Sequence, residues 1–527
     1  MMTERNWTPL LLAITFSMGI YLGVKIGQRA PHILGDTSSS SSHIQNKLDE
    51  VMRYINARYL DKVNQDELLG GTIDNLLQKL DPHSSYISAE EITLVNDQMD
   101  GDFEGIGVEY IVTEDTMNVV SALPGGPSEQ AGIMSGDKIV AIEDSSIAGV
   151  KITTDRLIKK LRGAKGTQVH LAVKRGTQLL NMTVTRDEIP NRSVDAGFML
   201  DEKTGYIKVN RFAEKTYKEF MEKLDFLVEK NKMQDLVIDL RGNPGGYVQK
   251  SVDILNQFFK EKEKMLVYME GLNSPKQEYK TSGQAFYNIG KIAVLVDESS
   301  ASASEIVAGA LQDWDRATVI GRRTYGKGLV QEQYPLSDGS ALRLTVAQYY
   351  IPSGRCIQKP YKNNKDYDND VENRLKNGEL VDFEKNKGKD TSKFYTASGR
   401  LVRGGGGITP DIFVPIESFQ ADEDFAKLRN QVSQFTIDYV KNNKSSFSTD
   451  ENTFLNGALD EKIFAAFIQY AEKHNAKTDR NKISIYKDSF STLLKARIGR
   501  ILFSDETQYK AFARNDRMIE KALESLK

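Results

Sequence analysis

Three short segments hold side chains and backbone groups that can do chemistry together. They are Asp239-Leu240-Arg241-Gly242-Asn243-Pro244-Gly245-Gly246, Ser300-Ala301-Ser302-Ala303-Ser304-Glu305 and Tyr325-Gly326-Lys327-Gly328-Leu329-Val330-Gln331. Each lies at the end of a predicted strand, where α/β folds place ligands. The first runs strand, glycine-rich turn, helix and so presents backbone N–H groups to an anion, although alone it reads first as a plain turn. Ser302 opens a predicted helix with Glu305 three residues on, the S-x-x-E pattern of a capping box, and taken alone capping is the stronger reading. A serine at a helix N-terminus after a buried strand is also placed for nucleophilic attack, because the helix amides stabilise an oxyanion. A general base decides between the two readings.

Histidine is not available nearby. The five histidines are His32, His43, His83, His170 and His474, so none lies between residues 171 and 473, and a Ser-His-Asp triad would have to borrow from a distant module. Lysine is the remaining candidate, provided that burial lowers its pKa. Lys327 closes Gly321-Arg322-Arg323-Thr324-Tyr325-Gly326-Lys327, which matches the G-x-x-x-x-G-K of a phosphate loop. Gly328 stands where that loop needs Ser or Thr for Mg²⁺, and Leu329 to Tyr334 reads as a strand where a helix is required. On its own Lys327 also reads as a solvated lysine in a glycine turn.

The elements that must position these residues follow from periodicity. From Gly205 onward strands (Tyr206 to Phe212, Asp235 to Leu240, Ile292 to Val296) alternate with helices, which predicts an α/β core with parallel strands. Gly101 to Asp187 is instead a run of short β-type segments around one helix, Thr154 to Arg162. The expected organisation is a membrane segment at 1–25, a flexible linker at 26–43, a helical region at 44–100, a mostly β module at 101–187, the α/β core at 188–415 and a helical extension at 416–527. Residues 355 to 400, polar and charged, are expected to form a long surface excursion.

Composition narrows the function further. Among 527 residues, 70 Lys and Arg oppose 73 Asp and Glu, a balance of −3 that speaks against a general nucleic-acid binder. The single cysteine, Cys356, excludes an intrachain disulfide and a Cys-clustered zinc site, and the histidines are too scattered for a metal centre. From Asn6 to Val24 there are 19 consecutive uncharged residues, enough as a helix to meet a bilayer. No small-x-small cleavage site follows, which favours an uncleaved anchor over a signal peptide.

Taken together, Ser302 within SASASEI, Lys327 within YGKGLVQ and the DLRGNPGG turn resemble the C-terminal processing peptidases, or tail-specific proteases, serine endopeptidases with a Ser-Lys dyad. The resemblance continues through LDPHSSYIS (80–88), Phe103 to Val108, Gly136 to Ile139 and GGGGITPD (404–411), covering residues 44 to 415 and nothing beyond. It implies Ser302 as nucleophile, Lys327 as general base, Gln331 as the residue orienting the lysine, and an oxyanion held by the N–H of Ala303 with that of Gly245 or Gly246. It also implies a crotonase-like protease core with an inserted PDZ domain, whose loop Gly105-Ile106-Gly107-Val108 would take a terminal carboxylate. The implied substrate is a protein or peptide with an accessible, rather apolar C-terminus, and no metal or cofactor is required. The implied location is the cell envelope, on the periplasmic side of the cytoplasmic membrane. The charged, helix-like extension admits a homodimer or a regulatory partner. Two other readings stay open on sequence alone: a tail-binding scaffold with an unused dyad, and acyl transfer to a non-peptide.

Overall fold

Asp235–Asp239 and Ile292–Val296 are buried along their whole length, and the apolar runs Leu236–Ile238 and Ile292–Val296 are what parallel strands covered on both faces require. The computed structural model describes residues 40–527 apart from residues 93, 94, 97, 98, 100, 114, 115, 124, 151–153, 362, 363, 386–391 and 475. The chain divides into two units, Met1–Thr72 and Ile73–Lys527.

The first unit contains the helix Ser40–Arg58 and the start of a second, Gln65–Leu77. The first helix begins inside the stretch expected to be a linker. The expected membrane segment and residues 26–39 of the linker lie outside the described residues. Among the described residues no helix is long and apolar enough to cross a membrane.

The second unit opens with the β module. Its strands β1 (Val108–Thr113), β2 (Thr116–Ala122), β3 (Lys138–Ile142), β4 (Gln168–Arg175) and β5 (Gln178–Thr185) form an antiparallel sheet in that order, with β1 at an edge. Helix α1 (Thr154–Leu161) buries Leu157 and Leu161, four residues apart on one face, and leaves Lys159 and Lys160 exposed. Asp102–Gly105 pairs antiparallel with Asp187–Pro190, so the module's two ends meet, as the ends of an inserted domain must.

The core follows as β6 (Val194–Met199), β7 (Thr204–Val209), α2 (Thr216–Asp225), β8 (Asp235–Asp239), α3 (Val248–Leu255), β9 (Ile292–Val296), α4 (Ala303–Asp313) and β10 (Thr318–Gly321). Strands β11 (Leu329–Pro335), β12 (Ala341–Tyr350) and β13 (Ile412–Phe413) complete it. The main sheet runs β6-β7-β8-β9-β10-β13, parallel except for the first pair. Helix α4 is buried at every position, which its composition of Ala, Ile, Val, Gly and Leu around few polar residues allows. A second, antiparallel sheet is organised by β12, which pairs with β11, Ser85–Ile87 and Lys262–Glu270.

Residues 355 to 400 are exposed at most of the described positions, as expected of a surface excursion, but several of their charges turn inward. Arg355 is fully buried and bonds Asp313 and Gln312 of α4, while buried Arg374 and Arg323 share Glu379. These few charges are paired inside the protein, which composition alone does not show.

The extension comprises α5 (Glu423–Asn443), α6 (Glu461–Lys473), α7 (Arg480–Leu502), α8 (Asp505–Ala513) and α9 (Arg517–Ser525). Asp422, Asp460, Asp479, Ser504 and Asp516 each accept a backbone N–H as the N-cap of one of these helices. Phe425, Phe435, Phe467, Tyr486 and Phe490 form an aromatic core between them. Helix α9 lies on the main sheet, burying Met518, Ile519, Ala522 and Leu526 against Val237, Leu295 and Ile320.

Candidate active site

Ser302 sits where β9 hands over to α4, with φ 56° and ψ −118°. A left-handed backbone is costly for any residue with a Cβ, and such strain collects at functional sites. Its neighbour in space is the glycine turn after β8. A Cβ on Gly245, whose φ is +99°, would stand 2.6 Å from the Ser302 Cβ and 2.9 Å from the Ala303 nitrogen. A Cβ on Gly246, with φ +140°, would stand 2.2 Å from the Phe212 carbonyl oxygen. Only glycine permits both the backbone conformations and the approach to the serine.

The turn is tied down by its own polar groups. Asn243 Nδ2 donates to the Val209 carbonyl, and Asn243 Oδ1 accepts from the Gly245 N–H at 2.9 Å. The Asn243 carbonyl accepts from the Ala301 N–H and the Ser304 hydroxyl. Gly245 therefore spends its N–H inside the turn. No hydrogen bond of the Gly246 or Ala303 N–H is found among the described residues.

Glu305 joins the serine loop to the lysine loop. One of its carboxylate oxygens accepts the N–H groups of both Ser302 and Lys327 at 2.8 Å, and the other accepts the Gly326 N–H at 2.8 Å and the Thr324 hydroxyl. The capping reading of S-x-x-E thus holds for the carboxylate, while the Glu305 N–H goes to the Ser302 carbonyl. Burial pushes the Glu305 carboxyl up to about 7, against the pull of these four donors.

Among the described residues no hydrogen bond joins the Ser302 hydroxyl to Lys327 Nζ. Tyr349, a buried residue on β12 close to Ser302, donates its hydroxyl to the Lys327 carbonyl. Burial lowers the pKa of Lys327, and nearby Arg343 lowers it further, while Glu305 and Asp81 act the other way. Gln331 Nε2 points to Thr345 Oγ1 at 3.5 Å, and no hydrogen bond joins it to Lys327 among the described residues. Thr345 Oγ1 in turn donates to Asp81 Oδ1 at 2.9 Å.

Asp81, His83, Glu305, Arg343 and Tyr349 are the neighbours that sequence reasoning did not assign to the lysine. His83 reaches it from LDPHSSYIS, yet no triad results: its Nε2 bonds the Tyr367 hydroxyl, and Asp81 takes the His83 backbone N–H. Burial, helped by the charges of Lys327 and Lys359, pushes His83 down to about 4, so it is neutral at ordinary pH. The signal in sequence was the LDPHSSYIS motif itself, whose partner could not be read from spacing.

In the β module, Gly105, Ile106 and Gly107 are buried and Val108 starts the edge strand β1. The Ile106 carbonyl accepts both the N–H and the hydroxyl of Ser128, and the Gly107 carbonyl accepts the Leu123 N–H, which fixes the loop. Among the described residues no group of His, Cys, Asp and Glu is arranged to hold a metal ion.

Comparison with known proteins fits this geometry. Residues 203–368 match peptidase family S41, 119–175 the PDZ domain, 14–91 the N-terminal domain of activating protease CtpB, and 426–504 a family of unknown function. The chain is 33% identical over 352 residues to the carboxy-terminal processing protease CtpB of Bacillus subtilis, covering 65% of this chain and 72% of that one. It is 35% identical over 314 residues to a probable CtpA-like serine protease of Staphylococcus epidermidis, covering 59% of this chain and 62% of that relative's length. A solved photosystem II D1 C-terminal processing protease is 23% identical, with a TM-score of 0.37 over 70% of this chain and 86% of that one, too low a score to support a fold comparison. The chain belongs to the C-terminal processing peptidases of family S41.

Proposed function

We propose that the protein is a serine endopeptidase that captures protein C-terminal tails and cleaves near them through Ser302 and Lys327. The observation that carries this is the Glu305 carboxylate, one oxygen of which gathers the backbones of a strained serine and a half-buried lysine. Neutral Lys327 takes the Ser302 proton as Oγ attacks the scissile carbonyl carbon. The oxyanion is held by the N–H of Ala303 and of Gly246, the glycine whose N–H is not spent within the turn. The C–N bond then breaks, the lysine ammonium protonates the leaving amine, and an acyl ester remains on Ser302. Water, deprotonated by Lys327, hydrolyses the ester and returns the proton to Ser302. Gln331 is proposed to orient Lys327 when substrate tightens the site, since catalytic hydrogen bonds in empty sites are often unformed.

The β module supplies the tail specificity. A peptide adds as a strand to the free edge of β1, and its carboxylate meets the N–H groups of the Gly105 to Val108 loop. Assignment of the core to the crotonase type rests on the family resemblance. An uncleaved anchor facing the periplasm is supported by the uncharged segment from Asn6 to Val24, and release of the protein from membranes by carbonate wash would contradict it. A homodimer is tested by light scattering, where a monomer at all concentrations would exclude it.

The proposed activity is tested with a protein ending in a disordered apolar tail. Ser302→Ala should lower cleavage at least about a thousandfold while tail binding, followed by anisotropy, is retained. Unchanged cleavage would remove Ser302 from the mechanism, and binding without cleavage by the unsubstituted protein would favour a scaffold.

A further inference from the structure

The glycine turn beside Ser302 is held from behind by charge. Asp239, at the end of β8, accepts the Tyr206 hydroxyl at 2.7 Å, the Arg241 N–H at 2.9 Å and the Arg241 guanidinium, and pairs with Lys208 Nζ at 3.3 Å. Lys208 Nζ also donates to the Arg241 carbonyl, the last one before Gly242. Asp239 is 2% exposed and Lys208 6% exposed, so this cluster of two cations and one carboxylate needs a second carboxylate to balance it. The second carboxylate comes from the far end of the chain: Arg241 Nη1 donates to Asp516 Oδ2 at 2.6 Å.

Asp516 is fixed by the helix it caps. Its Oδ1 accepts the N–H of Met518 at 2.9 Å and of Ile519 at 3.4 Å, so one oxygen caps α9 and the other holds Arg241. Met518, Ile519 and Ala522 of α9, with Leu526 just after it, share one buried cluster with Val237 of β8 and Leu295 of β9. Those two strands lead into the glycine turn and the Ser302 loop respectively. Resting on the peptidase reading above, we propose that Asp516 is a positioning residue that braces the glycine turn through Arg241, making the C-terminal extension part of the frame of the site.

The test is Asp516→Asn in the full chain. Asparagine caps a helix as well as aspartate does, but its single amide oxygen cannot serve both α9 and Arg241 and carries no charge. The expected result is a fall in kcat of about tenfold or more, as for loss of one hydrogen bond to a charged group, with KM for the tail nearly unchanged and only a modest fall in melting temperature. Amide exchange should quicken in the peptide spanning residues 239–247 and not elsewhere in the core. Lys521→Ala, on the exposed side of α9, should leave all of these unchanged. If Asp516→Asn does not fold, Asp516→Ser keeps a good cap and is read in the same way. An unchanged kcat with unchanged exchange at 239–247 would overturn the brace, as would a loss of kcat matched by global destabilisation. If the unsubstituted protein cleaves nothing, the peptidase reading fails, and the exchange measurement still decides whether Asp516 braces the turn.

Discussion

Lys327 can serve as a base only if it loses its proton near neutral pH, and its surroundings decide this. Burial is the larger influence and the Arg343 guanidinium the next, both lowering its pKa. In the proposed mechanism the neutral lysine is the active form, so kcat/KM should rise with pH through the Lys327 pKa. Removing the neighbouring cation with Arg343→Gln favours the ammonium form. The rising limb should then move to higher pH by about half to one unit, and an unmoved limb would show that Arg343 does not act on the base. Glu305→Gln places an amide N–H against donors that now face oxygen. Activity should fall about a hundredfold, with a measurable loss of thermal stability, and a variant with full activity would separate the carboxylate from the site. Ser302, Lys327 and Glu305 stand in compact local motifs that the sequence shows, while the roles proposed for the serine and lysine come from the family resemblance. Tyr349, Asp81 and His83 were not legible in this way, because β-sheet register and a joint far away in sequence bring them to the lysine.

At the scale of elements, the alternation of short strands with helices identified β8, β9 and the parallel sheet they form. The turn between β8 and α3 was readable as glycine-rich, but its contact with Ser302 is a matter of chain packing. Gly245→Ala tests that contact. The added methyl would press on the Ser302 Cβ and on the Ala303 nitrogen, costing about 1–3 kcal/mol of stability and most of the activity. A fully active, fully stable alanine variant would show that the turn has room to move. Residues 355 to 400 are exposed at most described positions, as their composition suggests, but composition registers charge and not pairing, so it could not show that Arg355, Arg374 and Glu379 satisfy one another or α4 inside the protein.

Across the whole second unit, the extension touches both the β module and the protease core. Arg500 of α7 pairs with Glu109 of β1 at 2.8 Å, Lys441 of α5 donates to the Gly136 carbonyl, and Asp516 holds Arg241. No sequence motif in the extension announced these contacts, because single ion pairs have no signature beyond a charged residue. Tail capture through the Gly105 to Val108 loop makes a prediction at this scale. Amidating the terminal carboxylate of a tail substrate should raise KM about tenfold or more with kcat little changed, and an indifferent KM would remove the carboxylate from recognition.

The most direct measurement of the central claim is an acid-quenched turnover of a tail peptide ester by the full-length protein, followed by mass mapping of the acylated peptide. The mechanism predicts an acyl adduct on Ser302 that is absent from Ser302→Ala and accumulates far more slowly in Lys327→Ala. An adduct on another residue, or cleavage that persists in Ser302→Ala, would contradict it.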